Sequence, residues 1–275
     1  MLSLIFEIFA AVVISALLFF VFILAKKRPS NEGNWNPGHK ILPFAEVKDN
    51  GKILIKNVRH NVYKTANDFE GNYDDREYDP DQLKKVWLFL VHFTGYKGAA
   101  HAFLSFEFEG DEFVSVSIEQ RRRDGKEFSA VKGLFRQFEL MYVIADERDT
   151  VRLRTEHHKD NVFLYPLKLS KEKEKELFCD IMKRVNALAE NPEFYHSISN
   201  ACFQNIVDHI NNVLPGKMPF DYRIILPENA DLYANKMDLI EMESSPEETR
   251  KKHLINELAK KYADDPNFSL RIRGR

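Results

Sequence analysis

The sequence predicts an α+β chain, an antiparallel sheet packed on helices, behind one N-terminal transmembrane helix. Three observations carry that expectation. Two alternating runs, His101 to Phe108 and Glu112 to Gln120, flank a Gly-Asp turn signal. Val86 to Phe93 is a nearly continuous apolar run of strand length, the pattern of a strand covered on both faces. Two amphipathic helical stretches follow between Ser170 and Ile210.

A length of 275 residues with 44% hydrophobic and 12% aromatic side chains is ample for a packed core. With 40 basic against 42 acidic residues the charge is balanced, so nothing in the bulk charge points to nucleic acid as a partner. Two cysteines, Cys179 and Cys202, cannot make a disulfide scaffold, although a single bridge between them stays open in an oxidising compartment. No Cys or His pair has the short spacing of a zinc site, and no cofactor is expected.

From the amino terminus, Ile8 to Ala25 carries no charge and has only Ser15 as a polar side chain. At a rise of roughly 1.5 Å per residue such a helix approaches the ~30 Å hydrocarbon core of a bilayer. Basic residues follow the apolar run and no cleavage signal is present, so it reads as a retained single-pass anchor. Lys26, Lys27 and Arg28 on its carboxyl side favour a cytoplasmic position for the rest of the chain. Pro29 to Pro43 is rich in Pro, Gly and Asn and reads as a linker. The chain thus divides into an anchor at residues 1–28, a linker at 29–40, and a catalytic domain at 41–275 with a helical C-terminal extension.

Within the domain, Lys52 to Val58 is strand-like, Asn67 to Pro80 reads as a surface loop, and Val86 to Phe93 belongs at the sheet centre. In the hairpin, Ala102, Leu104, Phe106 and Phe108 share a face with Val114, Val116 and Ile118. Aligning those apolar faces pairs Phe108 with Glu112 and sets His101 opposite Glu119, because a slip of one residue would bury Ser and Glu against Phe. Ser105, Ser115 and Ser117 lie on the face shared by His101 and Glu119. Gly133 to Val143 reads as a short helix running into an apolar segment, and Val151 to Arg154 and Val162 to Leu167 as strands. Lys171 to Leu188 is a helix capped by Ser170, with Cys179 packed beside its apolar stripe. Ser199 or Asn200 can cap a further helix with apolar positions Phe203, Ile206, Val207 and Ile210. Pro246 to Ala263 is helix-like.

Cys202 therefore falls in a first helical turn, where free amides and the helix dipole lower a thiol's pKa and can serve an oxyanion. A histidine oriented by a carboxylate is the base that thiol chemistry needs. The candidate catalytic residues are Cys202 as nucleophile, His101 as base and Glu119 as the group orienting the imidazole. His209 lies two turns along the helix of Cys202, His157 and His158 fall in a polar loop, and His92 is a weaker alternative. Arg121, Arg122 and Arg123 read as a solvated strand end or as a contact for a lipid phosphate.

Several segments, His101-Ala-Phe-Leu-Ser-Phe, Ser117-Ile-Glu-Gln-Arg, Phe138-Glu-Leu-Met-Tyr-Val-Ile-Ala-Asp-Glu-Arg-Asp, Asn191-Pro-Glu-Phe-Tyr leading to Asn200-Ala-Cys202, and Asn267-Phe-Ser-Leu-Arg-Ile-Arg, together resemble the Lnb N-terminal periplasmic domain family. The resemblance covers the chain from about Ile41 to its end. It implies a papain-like fold of circularly permuted NlpC type, with the histidine strand before the cysteine helix, in a bacterial inner-membrane protein facing the periplasm. It also implies N-acylation of bacterial lipoproteins as the associated activity. This chain departs from the family's usual Asn-Asn-Cys-Thr-Thr, having Asn200-Ala201-Cys202-Phe203-Gln204.

The expected function is that of a membrane-anchored cysteine acyltransferase, passing an acyl chain from a membrane phospholipid to an amine such as a lipoprotein N-terminus. A cysteine amidase or peptidase acting on cell-wall peptide, and a non-catalytic binding domain of the same fold, are the alternatives.

Overall fold

The structure is a computed structural model that describes residues 2–95 and 97–275, without the side chains at 2–4, 16, 17 and 20. In chain order the first elements are α1 (Leu2–Lys26), β1 (Phe44–Val47), β2 (Ile53–Arg59), β3 (Val62–Tyr63), β4 (Phe69–Glu70), β5 (Tyr73–Tyr78), β6 (Leu83–His92), β7 (Ala100–Phe108) and β8 (Glu112–Arg121). There follow α2 (Ala130–Gly133), β9 (Glu139–Ala145), α3 (Glu147–Arg152), a π-helical turn at Leu153–His157, β10 (Asn161–Pro166), α4 (Lys171–Glu190), α5 (Cys202–Val213), α6 (Ala230–Lys236), α7 (Pro246–His253), α8 (Asn256–Lys261) and α9 (Phe268–Arg271). The class is α+β.

The main sheet runs β1-β2-β9-β8-β7-β6-β10, with β5 also paired to β2. Its pairs are antiparallel except β2 with β9, so the sheet is mixed. The apolar run expected at the centre forms β6, one strand in from the edge, yet Val86, Phe89, Leu90 and Val91 are all buried because helices cover both faces. On one face α4 contributes Leu177, Phe178, Ile181 and Met182 and α5 contributes Phe203, Ile206, Val207 and Ile210, packed over Leu104, Phe106, Val114 and Val116. Ser170 caps α4 by accepting from the Lys173 amide, as its position at the start of the apolar stripe predicts.

The other face is closed by the C-terminal region. Ile255, Ala259, Phe268 and Ile272 pack with Val151 onto Phe89, Val91 and Phe103. Hence the Ser- and Glu-bearing side of the hairpin is interior: Glu107 accepts from the Trp87 indole and pairs with Arg275, and Arg273 pairs with Glu147.

Three expectations are corrected. Val151 to Arg154 is not a strand: Asp146 caps α3 by accepting from the Arg148 amide, and the chain continues helically into the π turn. Asn67 to Pro80 is not all loop, since β4 pairs with β3 and β5 pairs with β2. The stretch expected as a free linker is docked, with Trp35 buried between the guanidinium groups of Arg121 and Arg123 at 4.2 and 4.7 Å from the ring centroid. The end of α1 is tied down too, Lys27 donating to the Phe135 and Arg136 carbonyls and Arg136 to that of Leu24. Among the described residues no helix is long and apolar enough to cross a membrane. Part of the expected span, the side chains at 16, 17 and 20, lies outside the described residues.

Candidate active site

The register of the β7–β8 hairpin is the one the apolar faces require, with Phe108 opposite Glu112 and Phe103 opposite Ser117. Carried along the strands, it brings His101 to Glu119, and the His101 Nε2 lies 3.3 Å from the Glu119 Oε1. Ser117 closes a triangle. Its hydroxyl is 2.7 Å from the His101 Nε2 and donates to the Glu119 Oε1 at 2.8 Å. A serine has one proton, and here it goes to the carboxylate, so the hydroxyl oxygen accepts from Nε2–H. That fixes the proton on Nε2 and leaves Nδ1 as the basic nitrogen.

Cys202 supplies what faces the ring. It is the first residue of α5, and its buried thiol lies within electrostatic range of the His101 imidazole and the Ala102 amide. The expected cap is corrected: Ala201 is the N-cap and offers no side chain to the helix. Asn200 is turned back into the preceding loop, donating to the Phe194 carbonyl and accepting from Asn205, while Ser199 meets His196. First-turn amides are therefore left without a side-chain cap. Tyr195, a neighbour the sequence did not single out, lies within electrostatic range of Cys202. Phe203, where the family pattern has a hydroxyl, is buried in the core under the sheet.

Charges at the site reinforce one another. Burial would depress the His101 pKa, but the Glu119 carboxylate and the Cys202 sulfur outweigh it and raise the ring to about 9. Burial would raise Glu119, yet His101 and Arg154 hold it well below the usual carboxylate range. The Cys202 thiol, which burial alone would push up, is brought down by the imidazolium beside it and by the Ala102 amide. Those opposite directions, the thiol lowered and the imidazole raised, shift the pair towards thiolate and imidazolium, the forms that serve as nucleophile and general acid.

Arg154 was missed because its segment read as a strand. It arrives on the π-helical turn, and its Nη2 donates to the Glu119 Oε1 at 2.9 Å. The available signal was the cap-like Asp146-Glu147-Arg148-Asp149, a helix start in place of a strand.

The competing histidines are held elsewhere. His209 bridges Asp180 and Tyr142 at 2.7 and 2.8 Å, in a network that continues through Asn205 to the loop before Cys202. His92 stacks edge-on against Phe163, and His157 packs against Tyr63. His158 comes within electrostatic range of Glu119 and Arg154. Both cysteines are free. Of the three arginines, Arg121 donates to the His39 and Lys40 carbonyls and to Asn31, Arg123 pairs with Glu139, and Arg122 has its pKa lowered by burial against the opposing pull of Glu119.

The family model described as the Lnb N-terminal periplasmic domain matches residues 69–228, more than half of the chain and the part that holds His101, Glu119 and Cys202. No curated protein and no solved structure matches the chain.

Proposed function

We propose, from the premise that the chain belongs to the Lnb N-terminal periplasmic domain family, that it is a membrane-anchored cysteine acyltransferase. The observation that carries this reading is a buried Cys202 at a helix start, its pKa lowered by His101, whose Nε2 is held by Ser117 and Glu119. The order of strand histidine, strand carboxylate and helix cysteine fits a papain-like domain of permuted NlpC type.

In the first step the Cys202 thiolate attacks an ester carbonyl of a membrane lipid. The start of α5, which has no side-chain cap, supports a role for its first-turn amides in binding the developing oxyanion. The tetrahedral adduct collapses as the lipid alcohol leaves with the His101 proton, and a thioester remains. An amine, by family likeness the α-amino group of a lipoprotein's terminal cysteine, then attacks the thioester. Its surplus proton passes to His101, and Cys202 returns as thiolate when the amide forms.

Anchoring is supported by α1, where Phe6, Phe9, Val12, Ile14, Leu18 and Phe19 are exposed around the helix with no protein surface against them. The family description favours the periplasmic face of a bacterial inner membrane. Lys27, one of the three basic residues that argue for the opposite face, serves as a structural tie to residues 135 and 136.

The test is intact mass of the full chain in detergent after incubation with a glycerophospholipid. The expected result is a gain of one acyl chain that maps to Cys202 and is absent from Cys202→Ala. An adduct formed only with cell-wall peptides would move the reading to an amidase. A Cys202→Ala strain with its cellular phenotype intact would leave a non-catalytic binding domain.

A further inference from the structure

Asn205 follows Cys202 on α5 and holds the two residues that precede it. Its side chain is buried, and both of its polar atoms are engaged. The amide nitrogen donates to the Ala201 carbonyl and to the Asn200 Oδ1, both at 2.9 Å, and the oxygen accepts from the Tyr142 hydroxyl at 3.1 Å. Oxygens at the nitrogen and a hydroxyl at the oxygen leave the amide a single orientation. The Ala201 carbonyl already accepts from the Asn205 backbone amide at 3.0 Å, the ordinary first bond of a helix. The second bond, from the side chain of the same residue, fixes the plane of the peptide between Ala201 and Cys202. A peptide is planar and trans, so a held carbonyl also aims the Cys202 amide.

The far side of this tie is the sheet. Tyr142 stands on β9, its hydroxyl 2.8 Å from the His209 Nε2, and the His209 Nδ1 lies 2.7 Å from Asp180 of α4. Asn200 reaches the same strand by another route. It donates to the Phe194 carbonyl at 3.0 Å, and the loop on either side of Phe194 is bonded to β9 and its approach, Leu140 donating to the Glu193 carbonyl and Tyr195 to that of Phe138. β9 in turn pairs with β8, setting Tyr142 opposite Ile118 and Met141 opposite Glu119. The strand that grips the residues before the cysteine is thus in register with the strand whose Glu119 orients the histidine.

We propose that Asn205 and Tyr142 are positioning residues for Cys202, tying Asn200 and Ala201 to β9 so that the sulfur keeps its place beside His101. This rests on the reading of Cys202 as the reacting thiol, and it gives a buried polar network a part in that thiol's reactivity. Ala201 has no side chain with which to cap α5, so the approach to the cysteine is fixed from the carbonyl side by Asn205. Loss of that hold lets the loop and the first turn shift, and a sulfur that drifts from the imidazole loses the charge that favours its thiolate.

The pH profile of Cys202 alkylation by iodoacetamide, read by peptide mapping of the full chain in detergent, tests this without lipid or amine. Urea midpoints of the same variants report folding separately. Asn205→Leu should move the limb of thiolate formation up by about one pH unit, a reaction about tenfold slower below the limb. Tyr142→Phe keeps the ring and removes only the hydroxyl, and should move the limb the same way by about half as much. Asn211, on the same helix, exchanges two hydrogen bonds with the Met218 backbone at 2.8 Å each, away from the loop before Cys202. Asn211→Leu should lower the urea midpoint and leave the limb in place. Midpoints that fall while the limb stays put in both site variants, or a limb that moves equally in Asn211→Leu, overturn the proposal. Should Asn205→Leu fail to fold, Tyr142→Phe decides alone. A missing acyl adduct in the mass experiment leaves this result standing, and an unmoved limb here leaves the acyl-transfer reading standing.

Discussion

Nη2 of Arg154 lies 2.9 Å from Oε1 of Glu119, the same oxygen that faces the His101 ring and receives the Ser117 proton. One carboxylate oxygen thus joins a strand, a hairpin partner and a π-helical turn. The arginine keeps Glu119 ionised and fixed in rotamer, and its positive charge moderates how strongly Glu119 raises the imidazole.

Removing that guanidinium should therefore act through the histidine. In Arg154→Met the alkaline limb of Cys202 reactivity, set by the His101 ring at about 9, should move upward. Acylation should slow by about tenfold, in line with loss of one charge-assisted hydrogen bond. The pH profile of thioester formation reads both effects. A residue that served only packing would lower the rate without moving the limb, and Arg154→Lys should restore most of it.

The two cysteines give an internal comparison. Burial raises the Cys179 thiol against the weak pull of Lys175 and Lys183, whereas Cys202 is lowered by His101 although it is the more enclosed of the two. At neutral pH iodoacetamide should label Cys202 first, against the order of exposure, because the thiolate is the reacting species. In His101→Ala the order should reverse. Peptide mapping of partially alkylated protein decides it, and Cys179 labelled first in the unaltered chain would remove the thiolate from the argument.

What the sequence could convey follows from the range of each signal. The hairpin register was legible because alternation along two neighbouring runs has a single solution that hides Phe106 and Val114, and the His101–Glu119 contact came with it. Cys202 at a helix start was legible from Phe203, Ile206, Val207 and Ile210 at helical spacing. Its missing cap was not, because whether Asn200 caps the helix or turns back to Phe194 depends on the loop path. Arg154 was hidden by a local pattern, Val-Arg-Leu-Arg, that alternates like a strand while Asp146 starts a helix upstream. The burial of the serine-bearing sheet face was also out of reach, since it is created by residues about 255–272, far along the chain.

The site should also mark the stability curve. His101 has its folded pKa raised to about 9, so the stability it contributes is fully present below an unfolded value of about 6.5 and lost as pH rises through about 9. Glu119 is depressed, so its contribution is present above an unfolded value of about 4.5 and fades as pH falls towards its folded pKa. The urea midpoint difference between the unaltered chain and Glu119→Gln should be large near neutrality and shrink at both ends. A difference that stays flat from about pH 4 to about pH 10 would mean that the pair is not coupled to folding.

The C-terminal segment makes the last claim testable. Arg273 and Glu147 are a buried ion pair, 1% and 0% exposed at their side chains, and Ser105 of β7 donates to the same carboxylate. The Arg273 guanidinium also stacks over Trp87 and Phe113, at 4.6 and 4.3 Å from their centroids, so the pair clamps residues 268–275 onto the sheet face that carries His101. Arg273→Met strands the Glu147 carboxylate away from water and should cost about 3–5 kcal/mol in urea unfolding. Adding Glu147→Gln removes the stranded charge, and the double variant should recover a large part of that loss. If the second substitution instead adds to the first, Glu147 contributes through Ser105 and the sheet, and the clamp is made by aromatic stacking.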